Sequence, residues 1–378
     1  MELDFQSLVN PQKKKKENKS TRAMTSTHSE GCKLNNDLIM EILHRLPTEK
    51  VHELRRVCKQ WLAMIDHPCF IEANLARSEP CLLVVQRWTD KAYFIELQRS
   101  NDDTVLVVRP TTIDPTFFLQ GCCNGLVLAY HFINEDLGGR TSTYREYFVI
   151  NPSTKRSIKL PPLPGRSGYY IRNFSLGFDT NARRYKVVCV LFREQHPILC
   201  MVATLGLSMS WRMIEDSSPL NFTEWLFIQP IWASGAWHWV DSRGMKVVSL
   251  HTSKEVFFEM PLPFGGDGDG EYPCLMIYEG CLALADMHKN TNELDIWVLQ
   301  DMQRSEWTKK HVFNRGVLRN AFNFLDDDIL PCACFKNGRV ALFEGPRGRS
   351  IYDGFCLACY DFEREEMRLM EGEDPHHS

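Results

Sequence analysis

The sequence lacks any long apolar run, and no stretch approaches the roughly 20 apolar residues that a membrane-spanning helix needs. It also lacks a dominant charge, since 44 Lys and Arg residues stand against 48 Asp and Glu residues and leave a formal net charge of −4. We therefore expect no general attraction to nucleic acid or to a membrane surface. The N-terminus has no apolar signal segment, so the 14 cysteines are expected to be reduced thiols in the cytoplasm or the nucleus.

Catalytic signatures are absent as well. The sequence contains no HExxH, no GxSxG and no GxxxxGK(S/T) motif. The glycine-rich run at 265–270 is followed by no helix signal and lacks the spaced oxygen ligands of a calcium loop, so we interpret it as a flexible connection. We therefore predict neither a catalytic residue nor a cofactor.

The spacing of cysteine and histidine gives little support for a metal site. Cys332 and Cys334, two apart in a strand, would share a face, whereas Cys356 and Cys359 would point to opposite faces. Zinc sites prefer ligands two to four residues apart in loops, so we interpret these four as buried strand thiols. His238 stands between two tryptophans and is predicted to be a core or turn-facing histidine rather than a ligand or a base.

What the sequence does contain is an apolar helical pattern near its start. Five aliphatic residues recur there at helical spacing: Leu38, Ile39, Ile42, Leu43 and Leu46. Asn35 and Asn36 are predicted to cap this helix, and Pro47 to end it. Further short helices are predicted over 49–54 and 68–77, and between them a third helix is predicted to carry Val57, Trp61, Leu62 and Ile65 on one face. A unit of this length rarely buries such an apolar face by itself. We therefore expect the face to dock on a partner or on the rest of the chain.

The segment from Leu34 to Phe70 resembles the F-box motif. The matching residues are Leu34, Asp37-Leu38-Ile39, Glu41-Ile42-Leu43, Arg45-Leu46-Pro47, Arg56-Val57-Cys58-Lys59, Trp61, Asp66, Pro68 and Phe70; Asn35 departs from the usual proline. The resemblance implies docking on a Skp-type adaptor and, through it, on a cullin in a ubiquitin ligase. The adaptor-binding residues that it implies are Leu34, Asp37, Leu38, Ile42, Leu46, Pro47, Val57, Cys58 and Trp61.

The first 33 residues are polar and show no period, so they are predicted to be a disordered tail. The run from Lys13 to Lys16 permits two interpretations, a nuclear import signal or a solubilising tail.

After Arg77 the pattern changes to short apolar runs separated by Gly, Pro, Asn and Asp, which predicts an all-β region. Strands are predicted at Cys81–Gln86, Tyr93–Leu97, Val105–Val108, Leu126–His131, Tyr147–Ile150, Tyr185–Phe192 and Leu199–Leu205. Units of four strands recur, with tight turns at Asn124-Gly125, Ser234-Gly235, Glu279-Gly280 and Asn337-Gly338. A period of about 40–50 residues is typical of a β-propeller. Residues 80–371 would hold about six blades, or five if the first is incomplete, and a β-sandwich pair is the alternative.

Three segments of this region resemble the F-box-associated domain of plant F-box proteins, which is related to kelch-type propellers. They are GCCNGLV at 121–127, INPSTKRSIKLPPLP at 150–164 and SLGFDTNARRYKVV at 175–188; beyond Asp216 only the strand rhythm is similar. The predicted fold is α+β and multidomain. A small all-α F-box segment at 34–77 precedes an all-β domain at 80–371, and 372–378 form a tail.

The long connections of the predicted blades share one face. Connections after strands two and four of an antiparallel blade emerge on the same side. Here the predicted connections are long and irregular, at 133–146, 286–293 and 345–354 after strand two and at 161–173 and 261–273 after strand four. Long loops on a rigid scaffold often bind partners, and Arg and Tyr are common anchors of interfaces. The predicted target-binding residues are Arg140, Tyr144, Arg166, Tyr169, Tyr170, Arg172, Arg347 and Tyr352, with Arg145 beside them. Ordinary solvated loops are the alternative.

Three functions fit this organisation to different degrees. The first is a substrate receptor whose helices hold the ligase and whose propeller holds a protein target, leading to ubiquitination and proteasomal degradation. The second is an enzyme built on a propeller, which the missing catalytic signatures disfavour. The third is a scaffold without ubiquitin function, which the motif at 34–70 disfavours.

Overall fold

The computed structural model describes residues 35–46, 48–77, 81–86, 91–100, 103–111, 113–136, 141–165, 169–206, 208–214, 229–241, 246–264, 273–288, 291–314, 316–317, 330–335, 340–346 and 355–370. The chain divides into two compact units. The first comprises Met1–Pro162 and Leu205–Ser210, and the second comprises Leu163–Thr204 and Trp211–Ser378.

Four short helices form a helical module at the start of the first unit: α1 Asn36–His44, α2 Thr48–Leu54, α3 Lys59–Ile65 and α4 Pro68–Arg77. Asn35 caps α1, because its side chain accepts a hydrogen bond from the Asp37 N–H at 3.4 Å. The predicted helix over 68–77 is confirmed. Helix α3 begins after its N-cap Cys58, so Val57 precedes the helix that was predicted to include it.

Two antiparallel sheets complete the described part of the first unit. One contains β1 Cys81–Gln86, β2 Lys91–Ser100 and β3 Asp103–Pro110 in sequence order. The other contains β4 Phe118–Cys123, β5 Leu126–Asp136, β6 Thr141–Asn151 and β7 Arg156–Lys159, again in sequence order. Strands β5 and β6 are much longer than the strands that flank them.

The second unit begins with two four-stranded antiparallel sheets. Their strands are β8 Tyr170–Asp179, β9 Arg184–Phe192, β10 Leu199–Thr204 and β11 Trp211–Met213, then β12 Ile231–Ala233, β13 Ala236–Val240, β14 Lys246–His251 and β15 Phe257–Pro261. Gly177 permits these sheets to approach closely, because a Cβ there would lie 2.5 Å from Trp232 Cδ1 and 2.8 Å from Trp237 Cε2.

The remaining strands form one sheet of eight rather than two separate sheets. They are β16 Cys274–Tyr278, β17 Cys281–His288, β18 Glu293–Asp301, β19 Glu306–Asn314, β20 Leu330–Phe335, β21 Val340–Pro346, β22 Phe355–Asp361 and β23 Glu366–Met370. The two groups of four join where β16 and β20 pair in parallel at Ile277↔Ala333 and Tyr278↔Cys334. The described strands therefore make five sheets, and the first of them has only three strands. The prediction of about six blades is wrong, and the count agrees with the alternative of five blades with an incomplete first one.

The tight turns between first and second strands have the predicted geometry. Asn124, Ser234 and Glu279 have φ of 49°, 49° and 50°, and the glycines after them have φ of 77°, 80° and 79°. Positive φ at both central residues matches the right-handed twist of the paired strands. The fourth predicted turn, Asn337-Gly338, lies outside the described residues, whereas all seven predicted strands lie in or overlap observed ones.

A second kind of turn joins third to fourth strands. Its first residue accepts backbone N–H bonds on its side chain, as Asp301 Oδ1 does from Gln303 at 2.8 Å and from Arg304 at 3.1 Å. Asn151 and Asp361 do the same in their turns. These side-chain bonds stabilise the turn before the next strand begins.

A buried ion network joins the sheet β8–β11 to the turn between β14 and β15. Lys186 Nζ lies 2.7 Å from Asp179 Oδ2 and 2.7 Å from Glu255 Oε1, and it donates to the Thr252 carbonyl at 2.9 Å. Arg212 adds a second ion pair to Glu255. Only 6% of the Lys186 surface is exposed, so its charge depends on these partners.

The predictions for His238 and the thiols agree with the described core. His238 is fully buried, its Nδ1 lies 2.7 Å from Ser249 Oγ, and its Nε2 lies 3.1 Å from the Ala233 carbonyl. Because a carbonyl only accepts, Nε2 carries the proton and Ser249 donates to Nδ1. Cys334 and Cys359 are buried thiols, while the side chains of the other two cysteines lie outside the described residues.

Candidate functional site

The helical module has a small core of its own. Leu43, Val51, Ile65 and Phe70 are buried in it, and the His44 ring stacks on Phe70 with ring centroids 4.3 Å apart. The predicted single apolar face of α1 is therefore divided, since Leu43 closes this internal core. The Arg55–Asp66 ion pair, 2.9 Å long and largely buried, joins the end of α2 to the end of α3.

A second set of apolar side chains in the module faces outward. Leu38, Ile42, Val57 and Leu62 are 55%, 48%, 59% and 38% exposed, and we call these four the outer patch. Gln60 Nε2 donates to Asn36 Oδ1 at 2.6 Å, which joins the starts of α1 and α3. Leu38 and Ile42 lie one turn apart on α1, and exposed apolar patches mark surfaces that bind other proteins.

The structure separates the predicted adaptor-binding residues into two groups. Leu38, Ile42 and Val57 lie in the outer patch, and Asp37 is exposed in the first turn of α1. Leu46 and Trp61 are partly buried and pack against the module core. Cys58 caps α3 by accepting from the Trp61 N–H at 3.4 Å. Leu34 and Pro47 lie outside the described residues. Leu62 of the outer patch was predicted to share the apolar face of its helix with Trp61 and Ile65, but it was not among the predicted adaptor-binding residues.

Charged side chains lie at the other end of α1. Glu41 Oε1 accepts from Arg45 at 3.1 Å and Glu41 Oε2 lies 3.3 Å from Arg77 Nη1. The hydrogen bond from Arg45 lowers the pKa of Glu41, and Arg77 adds to this effect. These pairs are solvent-exposed and contribute little to stability.

The predicted target-binding residues fall in both units. Tyr144 is 42% exposed in the first unit, and Tyr170 is 70% exposed in the second. Tyr169 precedes Tyr170, donates from its hydroxyl to the Pro197 carbonyl at 3.5 Å, and has the Arg193 guanidinium 5.9 Å from its ring centre. The backbone of Arg172 is in β8 and its side chain is outside the described residues, as are Arg140, Arg166, Arg347 and Tyr352.

Two of the connections that were predicted to be irregular are largely strands. Asp136 ends β5 and Thr141 begins β6, so only 137–140 separate them and Tyr144 lies on a strand. The predicted connection 286–293 likewise shortens, because β17 runs to His288 and β18 begins at Glu293. Both predictions of a long irregular loop are therefore wrong. These strand segments are rich in polar residues. They were not predicted as strands, because prediction from sequence depends on the alternation of apolar residues.

The long β5–β6 pair carries an aromatic cluster that sequence reasoning missed. The Phe118 ring lies 4.9 Å from that of Tyr130 and 5.1 Å from that of Phe132, measured between ring centroids. Arg145 Cζ lies 5.0 Å from the centre of Tyr130 and 5.4 Å from the centre of Phe132. Alternation of Tyr130 and Phe132 along β5 was the available signal.

A cluster of two carboxylates and one imidazole lies across β17 and β18. Asp286 and Asp295 are directly paired neighbours, and His288 Nε2 lies 3.4 Å from the first and 3.0 Å from the second. Burial raises the pKa of Asp286, and the nearby Asp295 charge raises it further. Lys309 Nζ also contacts Asp295. Because Lys309 already supplies a positive charge, we interpret the cluster as an ion-pair network rather than as a metal centre.

The described chain thus consists of a helical module with an outer patch, followed by a β domain of short antiparallel sheets. The chain belongs to the F-box-associated beta propeller domain family, whose model matches residues 81–378, and an F-box domain model matches residues 32–72. The β domain is thus a propeller. No helix among the described residues is long and apolar enough to cross a membrane.

The chain is similar to F-box proteins of Arabidopsis thaliana over most of their length. The chain is 24% identical over 364 residues to F-box protein At4g19940, covering 89% of this chain and 84% of the relative. It is 24% identical over 366 residues to F-box protein At3g07870, covering 86% and 84%. The WD40 domain of SCAP from fission yeast is 10% identical with a TM-score of 0.34, covering 77% of this chain and 84% of that domain, a likeness too low to support an inference.

Proposed function

We propose that the chain is the substrate-recognition subunit of a Skp–cullin–F-box ubiquitin ligase. Its helical module binds the Skp-type adaptor, and its propeller binds a protein target that is then ubiquitinated and degraded. The observation that carries this proposal is the outer patch. Leu38 and Ile42 are about half exposed on α1, while Leu43 beside them completes the module core.

The energetics of the outer patch support a protein partner. Burying a leucine or isoleucine side chain contributes about 1.5–3 kcal/mol relative to leaving it exposed. The module does not need these side chains for its own core, which leaves them available to a second protein. Asp37, which is exposed in the first turn of α1, adds a charge that favours one orientation of that partner.

Affinity capture followed by mass spectrometry tests the proposal. We expect the chain to capture the adaptor, a cullin and one or more ubiquitinated targets. The double variant Leu38→Asp/Ile42→Asp should lose adaptor and cullin, because an unpaired charge in an apolar interface is strongly unfavourable, and should keep the targets without ubiquitin. Arg304→Gln, an exposed residue outside the module, is the control. Capture of the cullin by the double variant at control levels would contradict the proposal.

The same experiment separates the target surface from the adaptor surface. Changing Tyr169, Tyr170 and Arg172 to Ala should weaken target capture and leave adaptor capture unchanged. The propeller loops are assigned to the wrong face if this triple variant captures targets normally while changes in the short turns at 153–155 and 253–254 abolish capture.

A further inference from the structure

Strands β5 and β6 extend past the ends of β4 and β7, the strands that flank them in the sheet. Pairing of β4 with β5 stops at Phe118↔Tyr130, and pairing of β6 with β7 stops at Phe148↔Lys159. Strands β5 and β6 remain paired to each other as far as Asp136↔Thr141. Residues 131–136 and 141–146 thus form a two-stranded antiparallel ribbon, which we call the ribbon.

The charged side chains on the two faces of the ribbon differ in whether they form ion pairs with described residues. Glu146 is paired with Lys159 and lies 3.6 Å from His131 on one face. Phe132 and Arg145 are cross-strand partners on the other face. Among the described residues, no carboxylate lies within ion-pair distance of the Arg145 guanidinium. No side chain that the structure describes therefore neutralises the charge of Arg145.

Aromatic rings hold that guanidinium in place. Arg145 lies over the rings of Tyr130 and Phe132, and those two rings meet edge to face with centroids 5.5 Å apart. A guanidinium over an aromatic face keeps the N–H groups at its edge free to donate. Such a group binds a carboxylate or a phosphoryl group through two parallel hydrogen bonds.

An apolar surface lies directly beside this anion-binding group. Phe132 is 43% exposed although it contacts Phe118, Tyr130 and Arg145. Rigid aromatic rings lose little entropy when a partner covers them, and Tyr, Phe and Arg are enriched where proteins bind. A ligand that fits must carry an anionic group next to a large apolar side chain.

We propose that this face of the ribbon binds a segment of the target protein in which an acidic or phosphorylated residue adjoins an aromatic or large aliphatic residue. This inference rests on the proposed function and specifies the chemistry of the target. The anion pairs with Arg145, and the neighbouring apolar side chain packs on Phe132.

Fluorescence anisotropy with labelled peptides tests the inference on the whole 378-residue chain. The probes are twelve-residue Gly/Ser peptides with Glu-Phe-Glu, phosphoserine-Phe, Lys-Phe-Lys or Glu-Gly-Glu at the centre. We expect the first two to bind at least about tenfold more tightly than the last two, because both the anion and the ring are needed. A difference between the first two probes identifies the anion as carboxylate or phosphate.

Variants locate the binding on the ribbon. Arg145→Gln and Phe132→Ser should each weaken the tighter probes at least about fivefold, since each removes one of the two contacts. Glu135→Gln on the opposite face and Arg184→Gln, an exposed arginine elsewhere, should change binding less than about twofold. The inference is overturned by equal affinity for all four probes, by affinities that Arg145→Gln does not change, or by a dimer that Phe132→Ser dissolves.

Adaptor capture by the same variants keeps the two proposals distinguishable. Both ribbon variants should retain the adaptor. If the peptides bind through Arg145 and the adaptor is not captured by any form of the chain, the ribbon inference stands and the ligase role falls.

Discussion

At the scale of single residues, buried charges and a buried imidazole determine how the second unit responds to mutation and to pH. Burial disfavours ionisation of Asp179, but the Ala182 N–H, Lys186 and Ser253 outweigh it and lower the pKa of Asp179 to about 2. Its contribution to stability is therefore present above about pH 4 and is lost as pH falls toward 2. Burial opposes ionisation of Glu255 as well, but hydrogen bonds from Arg212 and Lys186 outweigh it and lower the pKa of Glu255, so both carboxylates are ionised at physiological pH.

Removing the central cation of this network should be costly. Lys186→Met leaves the carboxylates of Asp179 and Glu255 facing each other without their shared partner, and we expect a loss of about 3–5 kcal/mol in the free energy of unfolding. Urea denaturation measures it. The matched control is Lys246→Met, which removes the partly exposed pair with Glu259 and should cost less than about 1 kcal/mol. Equal losses in the free energy of unfolding for the two variants would contradict the expectation that the buried network stabilises the fold more than an exposed pair does.

His238 should make the second unit less stable in mild acid. Burial lowers its pKa from 6.5 to about 4. As pH falls, the unfolded chain takes up a proton on this side chain before the folded chain does. The contribution of His238 to the free energy of unfolding is therefore complete above about pH 6.5 and decreases as pH falls toward 4. We expect this to account for about 2–3 kcal/mol. Urea midpoints of the wild type and of His238→Leu/Ser249→Ala, measured from pH 7 to 4.5, should converge as pH falls. Parallel curves would contradict the assignment.

At the scale of elements, the helical module uses one helix for two purposes. Helix α1 places Leu43 in the module core and Leu38 and Ile42 on the outer patch. The sequence period predicts the helix and its cap but not this division, because both sets of side chains belong to one broad apolar stripe. Which half of the stripe is covered depends on where α3 and α4 pack.

Substitutions on the two sides of α1 should have different effects on stability. Leu43→Ala removes a fully buried side chain and should destabilise the module by about 2–4 kcal/mol. Ile42→Ala should cost less than about 1 kcal/mol, since the side chain is 48% exposed. Hydrogen exchange of amides in 36–77 of the whole chain reports both. Comparable loss of protection in the two variants would show that Ile42 belongs to the core.

At the scale of the whole molecule, sequence patterns predict the fold class and many of the strands. Asn124 and the glycines at 125 and 280 favour the positive φ that these hairpin turns need, so the turns were predictable. The eight-stranded sheet was not, because the parallel contact of β16 with β20 depends on tertiary geometry rather than on a repeat. The Lys186 network likewise joins residues nearly 70 positions apart and has no local signal.

The ribbon shows the same limit at the candidate target site. Tyr144 was predicted from the frequency of tyrosine in interfaces, and its position on a strand opposite Ile133 follows only from the pairing of β5 with β6. Arg145 lay beside the predicted residues, but its contact with Tyr130 and Phe132 required the register of the two strands. A register shift of one residue would reverse which face carries these side chains.

Titration calorimetry of a purified Skp-type adaptor into the chain tests the central claim most directly. We predict binding by the wild type and a dissociation constant at least about 100-fold higher for Leu38→Asp/Ile42→Asp, because the outer patch would then place two carboxylates in an apolar interface. Ser208→Asp, an exposed residue outside the module, is the control and should bind as the wild type does. Undiminished affinity of the double variant, with hydrogen exchange showing an intact module, would contradict the account.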